Sequence, residues 1–161
     1  MRRSLVATAT LCFLMTCSVA IANPPDRSQQ TVSGTAVVTD VCSFPVTVDY
    51  TVDLTLTNFY DADGNLVRIH VAADESDVYR ANGKSLTSVP FHYSQEVIFD
   101  ADGNVTNVFS NGLVAKTQLP DGSMFVSAGR LDFIARDANF VLTPDVGTSG
   151  NIAGFCAALA P

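Results

Sequence analysis

Tryptophan is absent, histidine occurs twice, and only nine of the 161 residues are lysine or arginine. Each scarcity excludes a class of protein. Immunoglobulin-like domains bury a Trp against a cysteine pair joining two mid-domain strands; this chain has no Trp, and Cys42 and Cys156 stand at opposite ends of its body. A zinc site needs three or four ligands, and nothing near His70 or His92 is suitably spaced. Neutralising phosphates takes many basic side chains, so a chain of net charge −7 is not expected to bind nucleic acid. There is no Cys-x-x-Cys, no Gly-x-Ser-x-Gly elbow and no phosphate or dinucleotide loop, since Gly147-Thr148-Ser149-Gly150 matches none of these. No cofactor or metal is therefore expected, and no motif marks a catalytic residue. Beyond the first segment, no apolar run approaches the roughly 20 residues of a membrane-spanning helix.

The chain opens with Arg2 and Arg3, an apolar stretch from Leu5 to Met15, and Ala20-Ile21-Ala22. This is the pattern of a secretory signal peptide over residues 1–22, so the mature protein is expected to be secreted (extracellular). A rival reading makes Cys17 the lipid anchor of a lipoprotein, but Leu14-Met15-Thr16 lacks the small residue expected before such a cysteine. Cleavage removes two arginines and no acid, leaving the rest more acidic still. It also removes Cys12 and Cys17. Cys42 and Cys156 remain as an even pair in an oxidising compartment, which predicts a disulfide between them. Residues 23–30 are polar and proline-bearing and read as a disordered arm; residues 31–161 read as one domain.

From Val46 to Thr57 apolar and polar residues alternate without a break, as in a strand with one buried face. Further strands are predicted at Val67–Ala73, Val78–Tyr79, Phe91–Phe99, Leu113–Leu119, Met124–Ala128, Arg130–Ala135 and Phe140–Thr143. Pro144–Gly150 reads as loop and Ala153–Leu159 as a short closing helix. Asp61-Ala62-Asp63-Gly64-Asn65, its copy at residues 100–104, Asn82-Gly83, Asn111-Gly112 and Pro120-Asp121-Gly122 read as turns. The two Asp-Ala-Asp-Gly-Asn segments invite a calcium reading. An EF-hand loop counted from Gly64, however, needs its last acidic ligand where His70 stands, and counted from Gly103 it ends at Phe109.

Turns at this spacing predict an all-β, single-domain antiparallel β-barrel of about eight strands with a short C-terminal helix, with a β-sandwich as the alternative. A barrel would remove exposed strand edges by closing the sheet. Val41-Cys42-Ser43-Phe44-Pro45-Val46, Gly64-Asn65-Leu66-Val67-Arg68, Asn82-Gly83-Lys84-Ser85, Gly129-Arg130-Leu131-Asp132-Phe133 and Cys156-Ala157-Ala158-Leu159 carry a resemblance. The chain resembles small secreted proteins of uncharacterised function common in high-GC Gram-positive (actinobacterial) bacteria. That resemblance implies export, the disulfide and a barrel similar to lipocalin-like or allene-oxide-cyclase-like barrels, and it carries over no catalytic residue.

The expected function is a secreted, non-catalytic binding or extracellular interaction module whose protein partner is unknown. In one form, side chains drawn from Val48, Tyr50, Val52, Leu54, Phe91, Tyr93 and Phe133 line a hollow barrel that holds a small apolar ligand. In the other they pack a solid core. The alternative class is a small-barrel isomerase or cyclase acting on a lipid-like substrate, with Tyr50 and Tyr93 as the polar groups on apolar faces. His92, Ser94 and Glu96 share a strand face, but His92 and Glu96 are about 13 Å apart, too far to share a metal or a proton. Asp49 and Asp53 meet the same objection, and Arg130 and Asp132 read as a wet face.

Overall fold

The computed structural model describes residues 23–136 and 140–161. The expected signal peptide, with Cys12 and Cys17, lies outside the described residues. Eight strands, β1 (Asp26–Val38), β2 (Val46–Tyr60), β3 (Leu66–Ala81), β4 (Lys84–Thr87), β5 (Phe91–Phe99), β6 (Val105–Gln118), β7 (Met124–Asp132) and β8 (Val146–Ser149), form one sheet. A one-turn helix α1 (Phe133–Arg136) follows β7, and α2 (Ile152–Leu159) closes the chain. The antiparallel all-β class and the short C-terminal helix are those read from the sequence.

The sheet is a meander in chain order, β1-β2-β3-β5-β6-β7-β8, with β4 also on β3. β4 and β5 are two halves of one row along β3. Val78 pairs with Thr87 and Glu75 with Phe91, so the register slips by one residue between the halves. The slip falls at Ser88-Val89-Pro90, where Pro90 has no N–H to give a ladder. Ser88 there donates its N–H to the Asp77 carbonyl at 2.8 Å and bridges to Thr117 of β6.

The sheet curls strongly although no ladder joins β1 to β8 among the described residues. Tyr79 of β3 and Phe125 of β7 are three ladder steps apart, roughly 14 Å in a flat sheet. Both rings nevertheless lie within 5.3 Å of the Phe155 ring. One source of curvature is a row of glycines, Gly112, Gly129 and Gly147, paired directly across β6, β7 and β8. All three have positive φ, and a Cβ on Gly129 would overlap the Val146 carbonyl, so the backbones approach more closely than side chains permit.

At one end of the concave face α2 fills the curl. Phe155 and Leu159 are fully buried among Val46, Val48, Tyr79 and Phe125, each contributing about 1.5–3 kcal/mol of apolar burial. Asn151 caps the helix by accepting the Gly154 N–H at 2.8 Å, and Asn82 donates to the Leu159 carbonyl at the other end. The predicted disulfide is present: Cys42, in the β1–β2 connection, is bonded to Cys156 of α2.

The structure corrects several sequence expectations. The arm expected to be disordered begins β1 at Asp26, because Asp26–Gln30 pair backbone to backbone with Leu54–Asn58 of the long β2 and need no apolar side chains to do so. The break expected between Ala73 and Val78 does not exist, and β3 runs through Asp74-Glu75-Ser76-Asp77. Asn111-Gly112 is no turn: β6 passes straight through it, Gly112 making room for the Tyr93 backbone. Gly129 likewise lies inside one strand, β7. Residues 140–143 are not a strand, while the expected loop after Pro144 contains β8.

Candidate functional site

The segment of residues 140–145, ahead of β8, lies off the sheet and over its concave face. Three donors anchor it: the Asp40 carboxylate accepts from the Leu142 N–H, the Thr143 N–H and the Thr143 hydroxyl. Asp145 accepts from the Asp132 N–H and pairs with Arg136, tying the segment back to the end of β7. Phe140 is thereby stacked on Tyr50 of β2, with ring centroids 5.6 Å apart.

A cavity of about 110 Å³ lies between this segment and the sheet. Leu113, Val114, Leu131, Phe133, Phe140 and Val141 form its apolar side. Glu75, Tyr93, Gln95 and Ser110 form its polar side. The β6 bulge between Leu113 and Ala115 turns both Leu113 and Val114 toward it. Its volume is on the scale of the roughly 150 Å³ engineered cavity that accepts benzene.

The polar side rests on two acids of β3. Glu75 is 5% exposed and Asp77 1% exposed, in phase with Val71, Ala73 and Tyr79 on the inward face. Asp77 Oδ2 accepts the Tyr79 hydroxyl at 2.8 Å, while its Oδ1 is buried with no donor. Burial pushes the Glu75 carboxyl up to about 8, helped by the charge of Asp77 and a hydrogen bond to it, with Tyr93 acting in the opposite direction. Asp77 is also raised by burial, against the hydrogen bonds from Tyr79 and Glu75. Burial therefore holds both carboxyls above the usual carboxylate range. The hydroxyls of Tyr79 and Tyr93 are themselves pushed upward, first by burial and then by the adjacent carboxylates, so both remain neutral donors.

Of the seven side chains expected to line a barrel, Tyr93 and Phe133 border the cavity. Val48, Val52 and Phe91 are buried as packed core, Val48 under α2, because α2 occupies the space a hollow barrel would leave there. Tyr50 is half-buried under Phe140, and Leu54 lies toward the β1 edge, away from the cavity. The remaining polar candidates are on the convex face, where neighbouring strands satisfy them. His92 faces Asp74, His70 faces Glu96 at 2.8 Å, Asp49 accepts from Arg80 and Thr35, and Asp53 accepts from Thr31. Arg130 lies over the Phe109 ring, and Asp132 accepts from the Ala135 N–H at the start of α1. In the Asp-Ala-Asp-Gly-Asn turns, Asp61 and Asp100 accept backbone N–H groups of their own loops. No group of three or more metal-ligating side chains occurs among the described residues.

Sequence reasoning missed Glu75, Asp77 and Tyr79 as interior groups. The signal was present in the phase: carried on from Ile69, Val71 and Ala73, the period of two reaches Glu75, Asp77 and Tyr79 on the same face. No protein-family model, curated protein or solved structure matches the chain.

Proposed function

We propose that this protein is an exported binding module whose concave face takes one small, mainly apolar molecule. The cavity beside Glu75 and Tyr93 carries the reading. Ligand sites are concave, mostly apolar and furnished with a few polar groups that fix orientation, and Leu131, Phe133 and Phe140 facing Tyr93, Gln95 and Ser110 follow that division. The Cys42–Cys156 disulfide supports an oxidising compartment. No helix among the described residues is long and apolar enough to cross a membrane.

The test is a titration of the oxidised protein with 3-methylbutanol, followed through the amide resonances of Ser110 and Leu131. Saturable shifts centred on those residues support the reading. Shifts that never saturate, or that spread evenly over the surface, overturn it.

A second reading rests on Glu75 alone. A carboxyl kept neutral beside an apolar cavity is equipped to act as a general acid, which favours an isomerase or cyclase working on a lipid-like substrate. Turnover of such a substrate that Glu75→Gln abolishes would support it; turnover indifferent to that change would remove it.

A further inference from the structure

The concave face holds two buried carboxyl groups, Glu75 and Asp77. Arg68 leans on the Phe59 ring and toward Glu96, Arg80 pairs with Asp49, and Arg130 covers the Phe109 ring, all on the convex side. Arg136 is paired with Asp145, and the two histidines face Glu96 and Asp74. Among the described residues no ion pair reaches Glu75 or Asp77. Besides each other, the two acids face tyrosine hydroxyls: Tyr79 from β3 itself and Tyr93 from β5, with Tyr50 of β2 beside Tyr93.

Two buried carboxyls set close together without a cation resist ionising, and a cation placed against them relieves that cost. Buried charges persist where something pairs them, and an unpaired one is costly. Asp77 Oδ1 has no donor at all. Glu75, the other half of the pair, borders the cavity while being 5% exposed. The cavity thus opens onto a buried acid with no cation partner, beside Tyr93, Gln95 and Ser110 and across from its apolar wall.

We infer that the ligand is a small primary amine, its ammonium group set against Glu75 with Asp77 behind, and its apolar arm among Leu131, Phe133 and Phe140. This identifies the ligand class for the binding module proposed above and rests on that reading. An ammonium brings a single positive charge and three donors to a wall furnished with acceptors, and it needs no planar fork of the kind a guanidinium requires. The aromatic faces of Phe133, Phe140 and Tyr93 tolerate a nearby cation, which the aliphatic wall does not reward. A cavity of this volume takes an arm of about four to six carbons. An anionic ligand would set its charge against two buried acids and is disfavoured by the same argument.

The experiment compares two molecules of the same shape, 3-methylbutylamine and 3-methylbutanol, titrated at pH 7 into the oxidised protein and read at Ser110 and Leu131. The amine is expected to bind at least about tenfold more tightly than the alcohol, the gain of a charged hydrogen bond over a neutral one. That preference should persist in about 0.5 M salt, because the site is buried; attraction to the acidic surface alone would be screened away. In the isosteric double variant Glu75→Gln, Asp77→Asn the preference for the amine over the alcohol should disappear. Equal affinities in the unmodified protein overturn the amine inference and leave the binding module standing. So does a preference that salt removes or that survives the double variant. Binding of neither molecule overturns both. The unmodified protein decides the question even if the double variant does not fold.

Discussion

Tyr79 reaches back along the inward face of β3 and donates its hydroxyl hydrogen to Asp77 Oδ2 at 2.8 Å. The contact joins the two parts of the interior. On one side the Tyr79 ring packs edge-on against Phe155 of α2; on the other its hydroxyl donates to Asp77, the neighbour of the Glu75 that borders the cavity. The plug and the candidate site therefore share one side chain.

Tyr79→Phe keeps the ring and removes the donor. Asp77 then has neither oxygen satisfied by a tyrosine, in a place where water is excluded, and the cost should be about 1–3 kcal/mol. A lower urea midpoint at unchanged slope is the expected result. A midpoint equal to that of the unmodified protein would show that water replaces the hydroxyl.

Glu75 makes stability depend on pH in an unusual direction for an acid. Its folded pKa, about 8, lies above the unfolded value near 4.5, so the folded state binds more protons between the two. Stability from this group is full below the unfolded value and is lost as pH rises through the folded one, at up to about 1.4 kcal/mol per pH unit. The exposed acids act oppositely and elsewhere. Asp49 and Asp61 are held low by hydrogen bonds from Arg80 and Asn65, so their contribution is present at neutral pH and lost on acidification. Denaturation midpoints should fall as pH rises from 5 to about 8 and level off above it, and Glu75→Gln should flatten that fall. An unchanged slope in the variant would assign it to another group.

Gly129→Ala tests the source of the curl. With φ at +155° and the Val146 carbonyl where the new methyl would go, β8 must separate from β7. A loss of about 3 kcal/mol or more is expected, with faster amide exchange at Gly147 and Thr148. A substitution that costs less than about 1 kcal/mol would place the bend elsewhere.

Reducing Cys42–Cys156 should cost about 2–4 kcal/mol, since the bridge spans 114 residues of sequence and constrains the unfolded chain. The fold should survive in dilute buffer. Faster exchange is expected first in α2, which apart from this bond is joined to the sheet only by the main chain through Gly150 and Asn151 to β8. Uniform acceleration across all strands would show that the bridge holds the whole sheet together.

Ser110→Leu pushes a side chain into the cavity opposite Leu131. Titration with 3-methylbutanol should then give no saturable shift at Leu131, while stability stays within about 1–3 kcal/mol of the unmodified protein. Unimpaired binding would move the site away from this cavity.

The strands of Val46–Thr57 and Phe91–Phe99, the Asn82-Gly83 hairpin, the cysteine pair and the closing helix were legible in the sequence because each is a local matter. Alternation, a φ-permissive turn residue and an even number of cysteines need no knowledge of distant chain. What failed were the places where local signals oppose tertiary ones. Gly112 and Gly129 look like turn residues until neighbouring backbones are seen to need their missing side chains. Residues 26–30 look unstructured until β2 offers them a ladder.

Glu75 and Asp77 show the division most clearly. Their phase along β3 was determined by the sequence, because successive side chains on a strand must point to opposite sides. Which side was the interior, and what would face it, was decided only when the curl brought β7, α2 and Phe140 over that surface. Burial is a property of neighbours, and the cavity that Glu75 borders is walled in part by Phe140 and Val141, more than sixty residues further along the chain.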